Sequence, residues 1–187
     1  MDGNKWQGLL DQLSETTSGP FFFIKEGKTR VRLVPQKETS DHFFVETTRV
    51  FRGKTRSRYI ILGVVAGVST QELSDEWKTK VAPIVVPKTV VKSILQLLAE
   101  GYDLLGPEGN GITIIRDGKG IDTSYNVLPS PKPIPIPDGL TYPDSTLEEL
   151  SQEFYQSSLE RDQGRSGEES QEPKEEKQTE ESSGEDW

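Results

Sequence analysis

Cysteine is absent from this chain of 187 residues, and histidine and methionine occur once each. Without cysteine there is no disulfide, no thiol nucleophile and no cysteine-built zinc site. The lone histidine, His42, lies in "TSDHFF" with no serine-nucleophile motif around it, and a surface or strand-edge place suits it better than catalysis. Long apolar runs are missing as well. The longest, Tyr59–Val68, is half of the ~20 residues that a membrane span needs. The opening "MDGNKWQGLLDQLSE" has no basic n-region, apolar core or small-residue cleavage site of a secretory signal. Asp117 and Asp122 flank "DGKG", where turn formation accounts for them, and Gly118-Lys119-Gly120 lacks the spacing of a nucleotide-binding loop. These absences predict a soluble intracellular protein that is not an enzyme, with no cofactor, no metal and no membrane partner.

What is present is charge, very unevenly placed. The whole chain carries a formal −9. Residues 1–142 hold 18 basic and 16 acidic side chains, whereas residues 143–187 hold 4 basic and 15 acidic. The overall acidity therefore belongs to the tail and hides a mildly basic body. Residues 21–58 hold ten Lys/Arg against four acids. Charge asymmetry of this kind points to a polyanionic partner for the body and an acidic appendage.

Periodicity organises the body. Trp6, Leu9, Leu10 and Leu13 fall on one face of a short N-terminal helix that Gly19-Pro20 ends. Phe21–Lys25 and Thr29–Val34 read as two strands of a hairpin around Glu26-Gly27-Lys28, with Arg30 and Arg32 on the face opposite Val31 and Leu33. Phe43–Phe51 alternates in the same way up to a turn at Arg52-Gly53-Lys54, and Arg56–Val65 becomes continuously apolar, as a strand entering the core does. A polar excursion over 67–80 has room for one helical turn. Val81–Val86 reads as a strand. Pro87 begins a helix that runs to Glu100, with Gly101 behind it. Ile112–Arg116 and Ser124–Leu128 close the domain, and "PSPKPIPIPDG" reads as a stiff exit that cannot join a sheet.

Beyond the prolines, Ser145 and Glu148 have the spacing of a capping box for a helix bearing Leu147, Leu150 and Phe154. From about Gln163 the composition cannot offset its ordering entropy. The division predicted is an N-terminal helical arm at 1–18, a β domain at 19–137, a linker and short amphipathic helix at 138–162, and an acidic tail at 163–187. Six or so short strands with one long helix predict a mainly β domain, a small closed or partly open barrel of OB-fold type.

Cations interleaved with aromatic rings on such strands suit single-stranded nucleic acid, whose phosphates and unstacked bases they match. Lys25, Lys28, Arg30, Arg32, Arg49, Arg52, Lys54, Arg56 and Arg58 make the phosphate track, which Arg116 and Lys119 extend. Phe44, Phe51, Tyr59 and Tyr125 are the candidate stacking rings, with Phe22 and Trp77 behind them. Each ring also has a competing place in the core, because small barrels need large side chains inside. No predicted helix carries a basic face suited to a duplex major groove. Stacking and phosphate contacts serve DNA and RNA alike. In the tail, the apolar helix face around Phe154 and the tip Glu185-Asp186-Trp187 suggest docking to a partner protein, or mimicry of DNA by carboxylates and an indole.

Two stretches carry a resemblance. "FFFIKEGKTRVRLVP" is similar to the opening strands of the single-stranded-DNA-binding, helix-destabilising proteins of T-even-like tailed phages. "GITIIRDGKGIDTSYNVLPSP", at 111–131, resembles a later signature of that family, where a glycine-rich turn precedes Asp122, Thr123, Tyr125, Val127 and Pro129. The resemblance spans roughly residues 20–132. It implies protection of single-stranded DNA in phage DNA replication, recombination and repair, in the cytoplasm of an infected bacterial host. It also implies an acidic tail that recruits replication and recombination proteins. The best-known members hold a structural zinc through Cys and His, which this chain has no cysteine to build. Their basic N-terminal arm is replaced here by residues 1–18 with Lys5 against Asp2, Asp11 and Glu15. The competing reading from a different class is an RNA-binding or protein-interaction module with a DNA-mimicking tail.

Overall fold

The computed structural model describes residues 20–168, with the side chains of all but the last four. In chain order the elements are β1 (Phe22–Phe23), β2 (Gly27–Leu33), β3 (Phe44–Phe51), β4 (Lys54–Val68), α1 (Asp75–Thr79), β5 (Ala82–Val86), α2 (Lys88–Ala99), β6 (Asn110–Asp117), β7 (Ser124–Pro133) and α3 (Leu147–Glu168). Strands hold 40% of the described residues and helices 26%, so they are mainly β, built on one mixed seven-stranded sheet. The expected N-terminal helix over 5–15 and the tip at Glu185, Asp186 and Trp187 lie outside the described residues.

β4 organises the sheet. Its 15 residues extend about 50 Å at the usual rise per strand residue, long enough to serve two partners along one edge. Residues 54–61 pair with β3 and residues 63–68 with β2, both antiparallel, while 59–63 pair with β5 on the other edge. Leu62 joins the two neighbours, its N–H donating to the Phe43 carbonyl at 2.8 Å and its carbonyl accepting from Val34 at 3.1 Å. β2 continues the sheet through β6 to β7, giving the order β1-β5-β4-β2-β6-β7. Among the described residues no ladder joins β7 back to β1.

β1 corrects the expected first hairpin. Both edges of β2 are taken, by β4 and β6, so Phe22–Phe23 pairs in parallel with Ile84–Val85 instead. The Arg52-Gly53 turn forms as expected. Both residues have positive φ, 51° and 67°, the geometry of the two-residue turn that follows strand twist. The proline-rich exit is also corrected. Pro129, Pro131 and Pro133 lie within β7, which pairs on one side only and so tolerates missing donors. Ile134, just beyond, is buried over Gly111.

Two cores follow from strand alternation. Ile61 and Val65 of β4 face an inner core with Val31, Leu33, Ile84, Ile112, Ile114 and Val127. The stripe Val90, Val91 and Ile94 of α2 closes that core, packing against β4 and β7. Ile60, Leu62 and Val64 face the other way, into a second core with Phe21, Val34, Val81 and Val85. That continuous burial on both faces is why β4 reads as an unbroken apolar run.

α3 covers the second core. Leu147, Leu150 and Phe154 are almost fully buried there, and Phe154 meets Phe21 edge-on at 5.3 Å. Each such side chain contributes about 1.5–3 kcal/mol by area removed from water. The stretch expected as a linker and detached helix at 138–162 is therefore part of the domain, and the helix continues to Glu168 rather than ending near 162. Its capping box sits one residue later than expected. Thr146 N–H donates to Glu149 Oε2 at 2.7 Å, and Glu149 N–H to Thr146 Oγ1 at 3.3 Å.

Candidate nucleic-acid interface

β3 and the first half of β4 form a two-stranded arm, residues 44–58, with five cations (Arg49, Arg52, Lys54, Arg56, Arg58) and one acid, Glu46. The free edge of β3 is held by α3. Thr47 Oγ1 donates to the Ser151 carbonyl at 2.8 Å, and Ser151 Oγ to the Glu46 carbonyl at 2.9 Å. Val50 N–H donates to Ser158 Oγ at 3.0 Å. At the tip, the Asp162 carboxylate accepts the N–H groups of Arg52 and Gly53. Residues 151, 158 and 162 share one helix face, so a row of small polar side chains satisfies an exposed edge that would otherwise invite strand addition.

Arm residues fall into a tip and a root. At the tip Phe51 is 39% exposed, with the Arg49 and Arg52 guanidinium carbons 5.6 and 5.4 Å from its ring centre. Lys54 pairs opposite Phe51, and Arg56 opposite Arg49, all on the surface. At the root Phe44 and Tyr59 are half-buried with ring centres 6.4 Å apart. Tyr125 of β7 packs on the rim of the same inner core as those two rings. Arg58 belongs with them. Burial lowers its pKa, the nearby Tyr125 phenol partly restores it, and Arg56 lowers it again. An arginine starts so high that it stays cationic at any physiological pH.

Other expected track residues are elsewhere. Arg32 is not on the surface at all. It is completely buried, with Nη1 donating to the Leu104 carbonyl at 2.6 Å and the Asn110 carbonyl at 3.5 Å, and Nη2 donating to the Gly106 carbonyl. The 103–110 loop is wound around that guanidinium, and a Cβ on Gly109 would sit 3.2 Å from Nη1. Desolvation lowers the Arg32 pKa, while Asp103 opposes the shift. Arg32 is thus a structural cation. Arg116 is half-buried, its Nη1 donating to the Ile24 carbonyl at 2.6 Å, and it pairs with Tyr125 in register. Lys25 reaches Gln71 Oε1 at 2.9 Å. Lys119 is exposed at the β6–β7 turn.

Lys28 and Arg30 lie on the outer face of β2, opposite the inner core, apart from the arm. Phe22 is 8% exposed and meets Trp77 edge-on at 5.3 Å, so both rings belong to packing. Phe154, expected to present itself to a partner, is 1% exposed on the sheet-facing side of α3. Its partners, Phe21, Ile60 and Leu62 among them, lie far back in the sequence, which is the reason. His42 lies 3.5 Å from Glu148, at the start of α3.

Sequence reasoning found the arm and its rings but missed α3 as the arm's support. The signal was available in Ser151, Ser158 and Asp162, whose spacing puts them on one face. No family model, curated protein or solved structure matches the chain.

Proposed function

We propose that this protein binds single-stranded DNA without catalysing a reaction, as the helix-destabilising proteins it resembles do. The observation that carries the reading is the arm, where five cations stand against one acid, with an exposed ring at the tip and three half-buried rings gathered at the root on the inner-core side. Phosphates match the cations, and unstacked bases match the rings, at about 1–3 kcal/mol per stacked base.

The fold is compatible with an OB-like barrel left open. β2, β4, β5, β6 and β7 serve as its five strands, with α2 between the third and fourth. In that scheme the loop between the first two strands has grown into the arm, and the loop between the last two is the Lys119 turn. Those two loops flank the face where OB-folds hold oligonucleotides. Here α3 covers the outer face of β4 and β5, so the site moves to the arm and to the rim formed by Phe44, Tyr59 and Tyr125. The acidic residues after 168 are proposed to recruit replication and recombination proteins, with Glu185, Asp186 and Trp187 as the contact.

Competition tests the reading. A labelled single strand of ~30 nucleotides bound to the full chain is displaced by the same unlabelled strand and resists duplex of equal sequence. RNA of that sequence competes more weakly than DNA. Equal displacement by duplex overturns the proposal, and stronger displacement by RNA turns it to the RNA-binding reading.

A further inference from the structure

A second basic surface lies outside the arm. The outer face of β2, β6 and β7 is not covered by α3, and it forms an open groove of about 620 Å³. Ile115, Leu128, Pro129 and Pro131 supply its apolar floor, and Lys28, Arg30 and Lys132 its cations. No carboxylate lines it, and Leu128 is 46% exposed. Among the described residues none of the three cations is ion-paired. The volume falls in the range of sites that hold small organic groups, roughly 300–1,000 Å³.

We infer that this groove is a second contact for the same single-stranded nucleic acid, taking a later stretch of the strand than the arm takes. The inference rests on the proposed function. Charge complementarity picks the occupant, since three cations with no acid favour a polyanion, and an apolar floor favours one whose bases are free to lie on it. Spacing adds to this. Lys28 and Arg30 are two residues apart on one strand face, about 6.8 Å, twice the roughly 3.4 Å per nucleotide of a stacked strand. Cations so spaced reach neighbouring phosphates of one strand, and the apolar floor beside them favours a strand whose bases are unpaired. The groove and the arm root lie on opposite faces of the sheet, so a short oligonucleotide takes the arm, with five cations against the groove's three, and only a long one reaches both.

The test uses the full chain, oligonucleotides of ~8 and ~30 nucleotides, and two double variants with surface changes only. Lys28→Glu with Arg30→Glu is expected to weaken the long strand about tenfold or more and to flatten its salt slope by about 1.4, while the short strand binds as before. Lys54→Glu with Arg56→Glu weakens both lengths. A third variant, Leu128→Trp, places an indole on the groove floor whose fluorescence is quenched by the long strand and unchanged by the short one. Should the groove variant bind the long strand as the natural protein does while the arm variant loses it, the groove proposal falls and the proposed function stands. Quenching of Leu128→Trp by an acidic peptide and by neither oligonucleotide makes the groove a protein site and overturns the proposal. Absence of any nucleic-acid binding by the unsubstituted chain overturns both.

Discussion

Arg32→Leu is expected to cost about 3–5 kcal/mol of folding stability, the largest single-residue effect in the molecule. The leucine fills part of the volume but leaves the carbonyls of Leu104, Gly106 and Asn110 without their donor. The Leu104 carbonyl is buried and the other two are half-buried, with the 103–110 loop wound about the guanidinium they share. Arg30→Ala, two residues away and exposed, should change stability by no more than about 0.5 kcal/mol. Urea unfolding of the two variants separates the cases, with the midpoint falling for Arg32→Leu and holding for Arg30→Ala. Equal midpoints would show that the loop does not depend on Arg32. It follows that an affinity lost in any variant carrying an Arg32 change reports unfolding rather than a broken phosphate contact.

The second large effect is on binding. Lys54→Glu with Arg56→Glu should lower affinity for a ~30-nucleotide single strand by about a hundredfold at ~50 mM salt. Both side chains are exposed, and their strand is paired with β3 through backbone hydrogen bonds, so the fold survives the exchange. Two cations lost from the interface should flatten the salt slope by about 1.4, and the two new carboxylates repel the phosphates in addition. Raising salt shortens the Debye length from about 10 Å at 0.1 M to about 3 Å at 1 M, so the gap between variant and natural protein narrows as salt rises. A variant that binds within twofold of the natural protein would remove the arm from the site.

Local patterns in the sequence were a good guide wherever the structure is decided by neighbours along the chain. The alternation in Phe43–Phe51, the Arg52-Gly53 turn and the helix between Pro87 and Gly101 all depend on residues within a few positions of each other, and each is found. Where a distant segment decides, the pattern misled. Arg30 and Arg32 alternate identically with apolar neighbours, yet only Arg32 is claimed by a loop more than 70 residues away. Leu147, Leu150 and Phe154 looked like an unpartnered stripe because their partners, Phe21, Ile60 and Leu62, lie far back in the chain. Prolines 129, 131 and 133 argued against a strand because nothing local says that β7 is an edge. Of the candidate site, the arm keeps its cations beside Phe51 and the rings Phe44, Tyr59 and Tyr125 share the inner-core rim, while Arg32, Phe22 and Trp77 turn out to be packing.

The account turns on whether the arm releases counterions from a single strand. The direct measurement is the affinity of the full chain for a ~30-nucleotide single strand at several salt concentrations between about 50 and 200 mM. Contacts from Arg52, Lys54, Arg56 and Arg58 predict a fall of log affinity with log salt of slope about −3, at roughly 0.7 per phosphate neutralised on a single strand, which the groove cations Lys28, Arg30 and Lys132 steepen to about −5. Affinity that does not change over that range, or no measurable binding at its low end, would contradict the account.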